Sequence, residues 1–376
     1  LVVATWIAVI ALTPVPPLLS AAAAAACCLA LMIAGRGAAV RALWFNLALA
    51  LVAAGVLAWR LDSTDERGRR IQHFSEQDRL FVLDDVLGVR PEPGLRTTAS
   101  LRYEDEPVYD VVYTIGQDGL RISPPLPEDP SRPCILFFGC SFTFGEGVND
   151  DATLPYQVGL LSKGSYTVRN FAFSGYGPHQ MLAAIEGGLV EARAACRPRY
   201  AIYQSAYHHV LRSSGKWTWD RHGPRYVLGP DREPIRNGHF DDETGATRAT
   251  AGESFLARRT ESPPEDVGVD QTEPGDVELF HAIVRKSAAL LRERYPGLEF
   301  HVIYWDAGDS IGSIPLFGDG LADPSIVVHP ITTVLPAADD WQAAYKLPHD
   351  VHPTAATHAA IAAYIAQRIV GLSPSR

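Results

Sequence analysis

Acidic side chains are missing from the first sixty residues, where Arg36, Arg41 and Arg60 are the only charges. A helical hairpin with no charged face does not read as part of a soluble core. The formal net charge of the 376 residues is -10, so with those three arginines set apart the remainder carries -13. No Lys and Arg cluster reverses that balance. Phosphate binding needs a basic face, so nucleic acid is not the expected partner. There is no His-Glu-x-x-His and no close carboxylate pair for a two-metal site. Gly-x-Ser-x-Gly is also missing, because position 143 is Thr, and this argues against a strained nucleophile elbow of the α/β-hydrolase kind. No internal repeat is visible.

What the first sixty residues do contain is apolar. Leu18 to Ala34 and Ala42 to Trp59 are nearly free of polar groups, and each approaches the ~20 residues that cross a bilayer. Leu1 to Leu12 is a third stretch, ended by Thr13-Pro14-Val15-Pro16-Pro17. A cleaved signal peptide has one apolar span, not three. The expectation is a membrane anchor over 1–60, with spans near 1–12, 18–34 and 42–59. Arg36 and Arg41 sit in the short loop between the last two spans, and basic short loops stay cytoplasmic. Everything after Trp59 is then expected outside the cytoplasm. Of the five cysteines, Cys27 and Cys28 fall in an apolar span, while Cys134, Cys140 and Cys196 fall in the body. Cys134 and Cys196 each precede a strand-like run and could pair if those strands are neighbours; the sequence leaves this open.

Hydrophobic residues make up 47% of the chain, enough for a large core. Residues 61–130 read as a linker followed by a small β module. In "VYDVVYTIGQDGLR", Tyr109, Val111, Tyr113 and Ile115 share one face at period two, and Asp118-Gly119 supplies a turn. Pro124 to Pro133 is a rigid connector. From there to the end strands alternate with helices: strands over 134–138, 166–173, 200–204, 300–305 and 325–328, helices over 153–162, 180–195, 277–294 and 354–370. Such alternation predicts an α/β fold, a parallel sheet covered by helices on both faces. Residues 213–275 interrupt it, rich in Arg, Asp, Glu, Gly and Pro, and are expected to be an irregular insertion.

In open parallel sheets ligands bind beyond the carboxyl ends of the strands, so the residues just after each strand matter most. They are Gly139-Cys140-Ser141-Phe142, Ser174-Gly175-Tyr176-Gly177 and Ser205-Ala206-Tyr207-His208-His209, joined before the closing helix by His349-Asp350-Val351-His352-Pro353. A serine nucleophile needs a base, and the base needs an orienting group. Ser141, His352 and Asp350 can fill these roles in that order. The amides of Ser141 and Gly175, with His208 or His209, are candidate oxyanion donors. Taken singly, a Gly-x-Ser is more often a turn, and Asp-x-His-Pro could simply open a helix, with Pro353 at its first position. Their order and placement together favour a site.

These blocks resemble those of the SGNH, or GDSL-like, hydrolase superfamily over roughly Cys134 to Val370. "FFGCSFTFG" is similar to the first block, with Ser141 as nucleophile. "NFAFSGYG" resembles the second, with Gly175 as oxyanion donor, and "LPHDVHP" the last, with Asp350 and His352. Three departures are visible. Cys140 precedes the serine where the family has Asp. The last block is Asp-x-His, with His349 at the commoner acid position. Ala206-Tyr207-His208-His209 replaces Gly-x-Asn-Asp, with His208 falling on the asparagine by register. The resemblance implies a flavodoxin-like SGNH domain over 131–376. It also implies a serine esterase acting through an acyl-enzyme, without cofactor or metal. Acyl, above all O-acetyl, esters of an envelope polysaccharide or lipid are the expected substrates. An O-acyltransferase would share the same triad. Two other readings compete: a metal-dependent hydrolase using His208, His209, His349, His352 and Asp350, and a non-catalytic carbohydrate-binding module whose insertion aromatics Trp217, Trp219, Tyr226 and Phe240 stack on sugars.

Overall fold

The computed structural model describes residues 17–53, 71–75, 79–104, 106–127, 129–216, 222–242, 272–307, 321 and 323–372. The chain divides into two compact units, one holding Leu1–Gln72 with Tyr103–Asp105, the other His73–Arg102 with Glu106–Arg376.

In the first unit, helix Pro17–Ala34 is followed by a second helix over 38–53. Ala25 and Cys28 of the first pack with Ala48 and Leu51 of the second. Leu29, Ile33, Leu43, Phe45, Leu49 and Val52 are exposed. Among the described residues, no helix is long and apolar enough to cross a membrane, so the expected spans gain no support from the structure. The span near 1–12 lies outside the described residues, as do residues 54–70, which include the end of the span near 42–59.

Among the described residues there are twelve strands, β1 to β12: Ile71–Ser75, Phe81–Asp84, Gly88–Pro91, Arg96–Tyr103, Glu106–Thr114, Pro133–Phe138, Thr167–Asn170, Arg197–Ala206, Pro224–Leu228, Pro234–His239, Glu299–Trp305 and Ile326–Pro330; those from β5 on lie wholly in the second unit. Five of them form the central sheet in the order β12-β11-β8-β6-β7, and every described neighbour pair in it is parallel. Numbered along the chain, that is 2-1-3-4-5, the flavodoxin-like order. The strand predictions therefore hold, and so does the expected α/β class. The reason is visible in β6, where Cys134 to Phe138 are all at most 1% exposed. Cys134, Leu136 and Phe138 join the core on one face, beneath helices Pro178–Glu186 and Pro274–Arg294. Ile135 and Phe137 join the other, beneath Leu154–Leu161 and Ala355–Tyr364. A strand buried on both sides must be apolar at every position, which is why its sequence shows no alternation.

The helix expected over 180–195 is broken in two at Gly187-Gly188, because Gly188 takes a left-handed φ of 70°. Residues 213–275, expected to be irregular, contain an antiparallel ribbon of β9 and β10. Among its described residues, Tyr226 is buried in the core and Leu228 packs against it, so the ribbon's sequence has little apolar pattern to read. The residues expected as a β module share the main core: Tyr109, Val111, Tyr113 and Ile115 are all buried there. A disulfide joins Cys134 to Cys196, with Cα atoms 6.0 Å apart, closing the pairing that the sequence had left open. It staples the start of β6 to the residue just before its neighbour β8.

Arg121, at the end of the β5 hairpin region, is fully buried. Its Nε donates to Asp150 at 3.0 Å. Its two terminal nitrogens donate to the carbonyls of Phe144, Gly145, Val148 and Val112. The guanidinium lies 4.4 Å from the Tyr113 ring centre and 4.8 Å from that of Phe144. It thereby fixes the loop that follows Ser141–Phe144.

Candidate active site

The chain runs from β6 to β7 on one side and then returns to β8 on the other. The crevice this reversal opens lies beyond the carboxyl end of β6, where such sheets hold their ligands. Gly139 turns the chain there with φ 149°, and a Cβ would lie 2.4 Å from Thr143 Oγ1 and 2.9 Å from the Gln204 carbonyl, so only glycine fits. Cys140 then caps a short helix, Ser141–Phe144. As its first residue, Ser141 has an amide with no intrahelical acceptor, aimed outward.

His352 Nε2 lies 2.9 Å from Ser141 Oγ, across 211 residues of sequence. On its other side, His352 Nδ1 is 2.5 Å from Asp350 Oδ1, which also accepts the His352 amide at 2.7 Å. Two-residue spacing suffices because the loop is tight. Leu347 N donates to the His352 carbonyl, Asp350 N to that of Leu347, and His349 takes a left-handed φ of 57°. Gln342 Nε2 ties the loop down at the Leu347 and Asp350 carbonyls. His349 is exposed. The Phe142 ring packs edge-on to His352, His208 and Trp305, walling the base on its apolar side.

The second block supplies Gly175 in a left-handed turn with φ 86°. Arg212, buried behind it, donates to the Tyr176 carbonyl at 2.8 Å and so ties this loop to the helix after β8. In the third block the two histidines part company. His208 presents Nε2 to Cys140 Sγ at 3.6 Å. His209 is fully buried, its Nδ1 2.6 Å from the Tyr203 hydroxyl, and burial pushes its pKa down to about 4. The grouping of His208 and His209 with His349, His352 and Asp350 that a metal-dependent hydrolase would need is not assembled: His352 is committed to Ser141 and Asp350, and His349 faces solvent. Trp217 and Trp219 of the insertion lie outside the described residues.

Sequence reading missed Glu146. It is 3% exposed, accepts a hydrogen bond from Ser174 Oγ at 2.7 Å and places Oε2 3.8 Å from His352 Nε2. It links the first block, the second block and the base, and an imidazolium forming at His352 would feel its charge. In the sequence it sits between two glycines and reads only as loop. Arg121 was missed for the same reason: a single arginine after Asp-Gly gives no sign that it will be buried.

The chain matches no protein-family model and no curated protein. Among solved structures, it is similar to a G-D-S-L family lipolytic protein from Desulfitobacterium hafniense, at 12% identity and TM-score 0.35, over 63% of this chain and 99% of that one. It is similar also to the acetyl xylan esterase Est2A from Butyrivibrio proteoclasticus, at 14% identity and TM-score 0.37, over 66% and 67%. A carbohydrate esterase family 2 enzyme from Corynascus thermopiles shares 16% identity at TM-score 0.37, over 73% and 77%. Likeness at these values fixes neither substrate nor mechanism.

Proposed function

We propose that this protein is a serine hydrolase of ester bonds, of the SGNH type. The observation that carries the reading is the unbroken chain Asp350–His352–Ser141, at 2.5 and 2.9 Å, standing at the crevice of a 2-1-3-4-5 sheet. Ser141 Oγ attacks the ester carbonyl as His352 Nε2 takes its proton. Asp350 holds the imidazole in the tautomer that leaves Nε2 free and stabilises the imidazolium that forms. The amides of Ser141 and Gly175 receive the oxyanion. His352 then returns the proton to the leaving alcohol, and a water activated by the same base releases the acyl group.

The location proposed is the outer face of a membrane. The disulfide supports an oxidising compartment. The exposed apolar side chains of the two N-terminal helices support contact with lipid. Acyl esters of an envelope polysaccharide or lipid, O-acetyl above all, are the substrates such a location offers. An O-acyltransferase differs only in the acceptor that meets the acyl-enzyme.

The test is to quench the protein during turnover of a panel of activated acyl esters and map the adduct by mass spectrometry. The acyl group is expected on Ser141, absent from Ser141→Ala, and partitioned between water and added sugar hydroxyls in a ratio that separates esterase from transferase. An adduct on Cys140, or undiminished turnover by Ser141→Ala, overturns the reading. For the location, a reporter active only outside the cytoplasm, fused after Asp62, is expected to be active.

A further inference from the structure

Next to the nucleophile in sequence, at Cys140, a thiol and two imidazoles converge. Cys140 Sγ, a nitrogen of His208 and a nitrogen of His209 all lie within 4.8 Å of one another, and all three residues are buried. None of them is needed by the Ser141–His352–Asp350 relay. We propose that Cys140, His208 and His209 form a binding site for a borderline-soft divalent transition metal of the zinc class, with three protein ligands and an open fourth position.

Three observations carry this. The first is the donor set. One thiolate and two imidazoles suit zinc, and three protein ligands plus an open position is a zinc pattern. Zinc bonds of about 2.3 Å to sulfur and about 2.0–2.1 Å to nitrogen put tetrahedral ligands about 3.3–3.6 Å apart. The Cys140 Sγ to His208 Nε2 distance of 3.6 Å is already such an edge. The second is an unmet demand. His209 is 0% exposed, and its Nε2 has no hydrogen-bond partner among the described residues. A buried polar nitrogen left so is uncompensated for its lost hydration, and a metal would satisfy it. The third is the outer contact. The Tyr203 hydroxyl sits on His209 Nδ1 at 2.6 Å. With Nδ1–H donating to that oxygen, Nε2 carries the lone pair, the arrangement in which ligating histidines are held.

The ligands come from two blocks that the sequence separates by 68 residues. A bound ion would clamp the residue before Ser141 to the helix His208–Ser213 and so fix the crevice from its floor. It would also account for both departures that the first and third blocks make together, a cysteine in one and a histidine pair in the other. The site goes beyond the esterase reading and does not depend on it, because its ligands and its test are separate from turnover.

The test uses the full chain with its disulfide intact and with Cys27→Ser and Cys28→Ser, so that the only remaining free thiol is Cys140. Titration with Co2+ is expected to give one equivalent bound, a thiolate-to-cobalt charge-transfer band and the intense visible bands of a tetrahedral ion, all displaced by one equivalent of Zn2+. Cys140→Ser should abolish the charge-transfer band. His208→Ala and His209→Ala should each weaken binding by about tenfold or more, taking outer-partner losses of about 10–100-fold as a floor. His349→Ala should bind as the parent does. A parent chain without the thiolate band, or a band that survives Cys140→Ser, overturns the proposal. Should the histidine variants fail to fold, zinc-edge X-ray absorption on the parent chain decides instead. One sulfur near 2.3 Å with two nitrogens near 2.0 Å supports the site, and a shell of nitrogen and oxygen alone overturns it.

Discussion

Removing the Arg121 guanidinium should cost more stability than any single change at the catalytic residues. Arg121→Met keeps most of the volume between the Tyr113 and Phe144 rings but deletes five N–H donors, each of which has an acceptor within 3.2 Å. Asp150 keeps the Thr114 amide, and the Gly145 carbonyl keeps a long contact from the Val148 amide. The carbonyls of Phe144 and Val148 lose this donor in a buried setting, and that of Val112 in a half-buried one. Removing one partner of a buried, hydrogen-bonded ion pair costs about 3–5 kcal/mol, a figure that already includes the acceptors left unmet, and the loss should lie in that range. With a urea m-value of about 3 kcal/mol per M, the unfolding midpoint should fall by about 1–1.7 M. The assay is equilibrium urea unfolding with the disulfide oxidised, followed by tryptophan fluorescence and circular dichroism. Asp150→Asn should cost clearly less, because every donor keeps an oxygen to meet. Turnover by Arg121→Met should also drop under fully folded conditions, since the loop it holds carries Glu146. A midpoint within about 0.3 M of the parent would refute the view that this arginine organises the loop.

Asp350→Asn should lower kcat by about 10³–10⁴ with little change in KM, because an amide at that position favours the wrong imidazole tautomer; a loss under tenfold would show that Asp350 does not orient the base. Replacing Cys134 and Cys196 by serine should cost about 4 kcal/mol, from the loop-closure entropy of a 62-residue separation, read as a lower urea midpoint against the oxidised parent. His358 is fully buried and accepts the Leu154 amide at Nδ1. Burial, helped by the charges of Arg121 and His352, pushes its pKa from the ordinary 6.5 down to about 3. The unfolded chain therefore binds the proton first: this stability is whole above pH 6.5 and falls by about 1.4 kcal/mol per pH unit from there toward pH 3. His358→Gln, which can still accept that amide, should flatten the slope over this window, and an unchanged slope would show that another group sets it.

The sequence alone determined the alternation of strand and helix, because a strand buried on both faces must be apolar throughout, as Ile135 to Phe138 are. It also marked Ser141 and Gly175 as residues that follow strands, and Asp350 and His352 as residues that precede the closing helix. It could not determine where long-range partners meet. Nothing local to Glu146 or Arg121 tells that one will lie 3.8 Å from His352 and the other will spend all five donors inside the molecule. Nor does His208-His209 reveal that the first turns toward Cys140 and the second into the core beside Tyr203. Burial and direction for such side chains depend on what packs against them from elsewhere in the chain. That is a property of the tertiary structure, and only the folded molecule decides it.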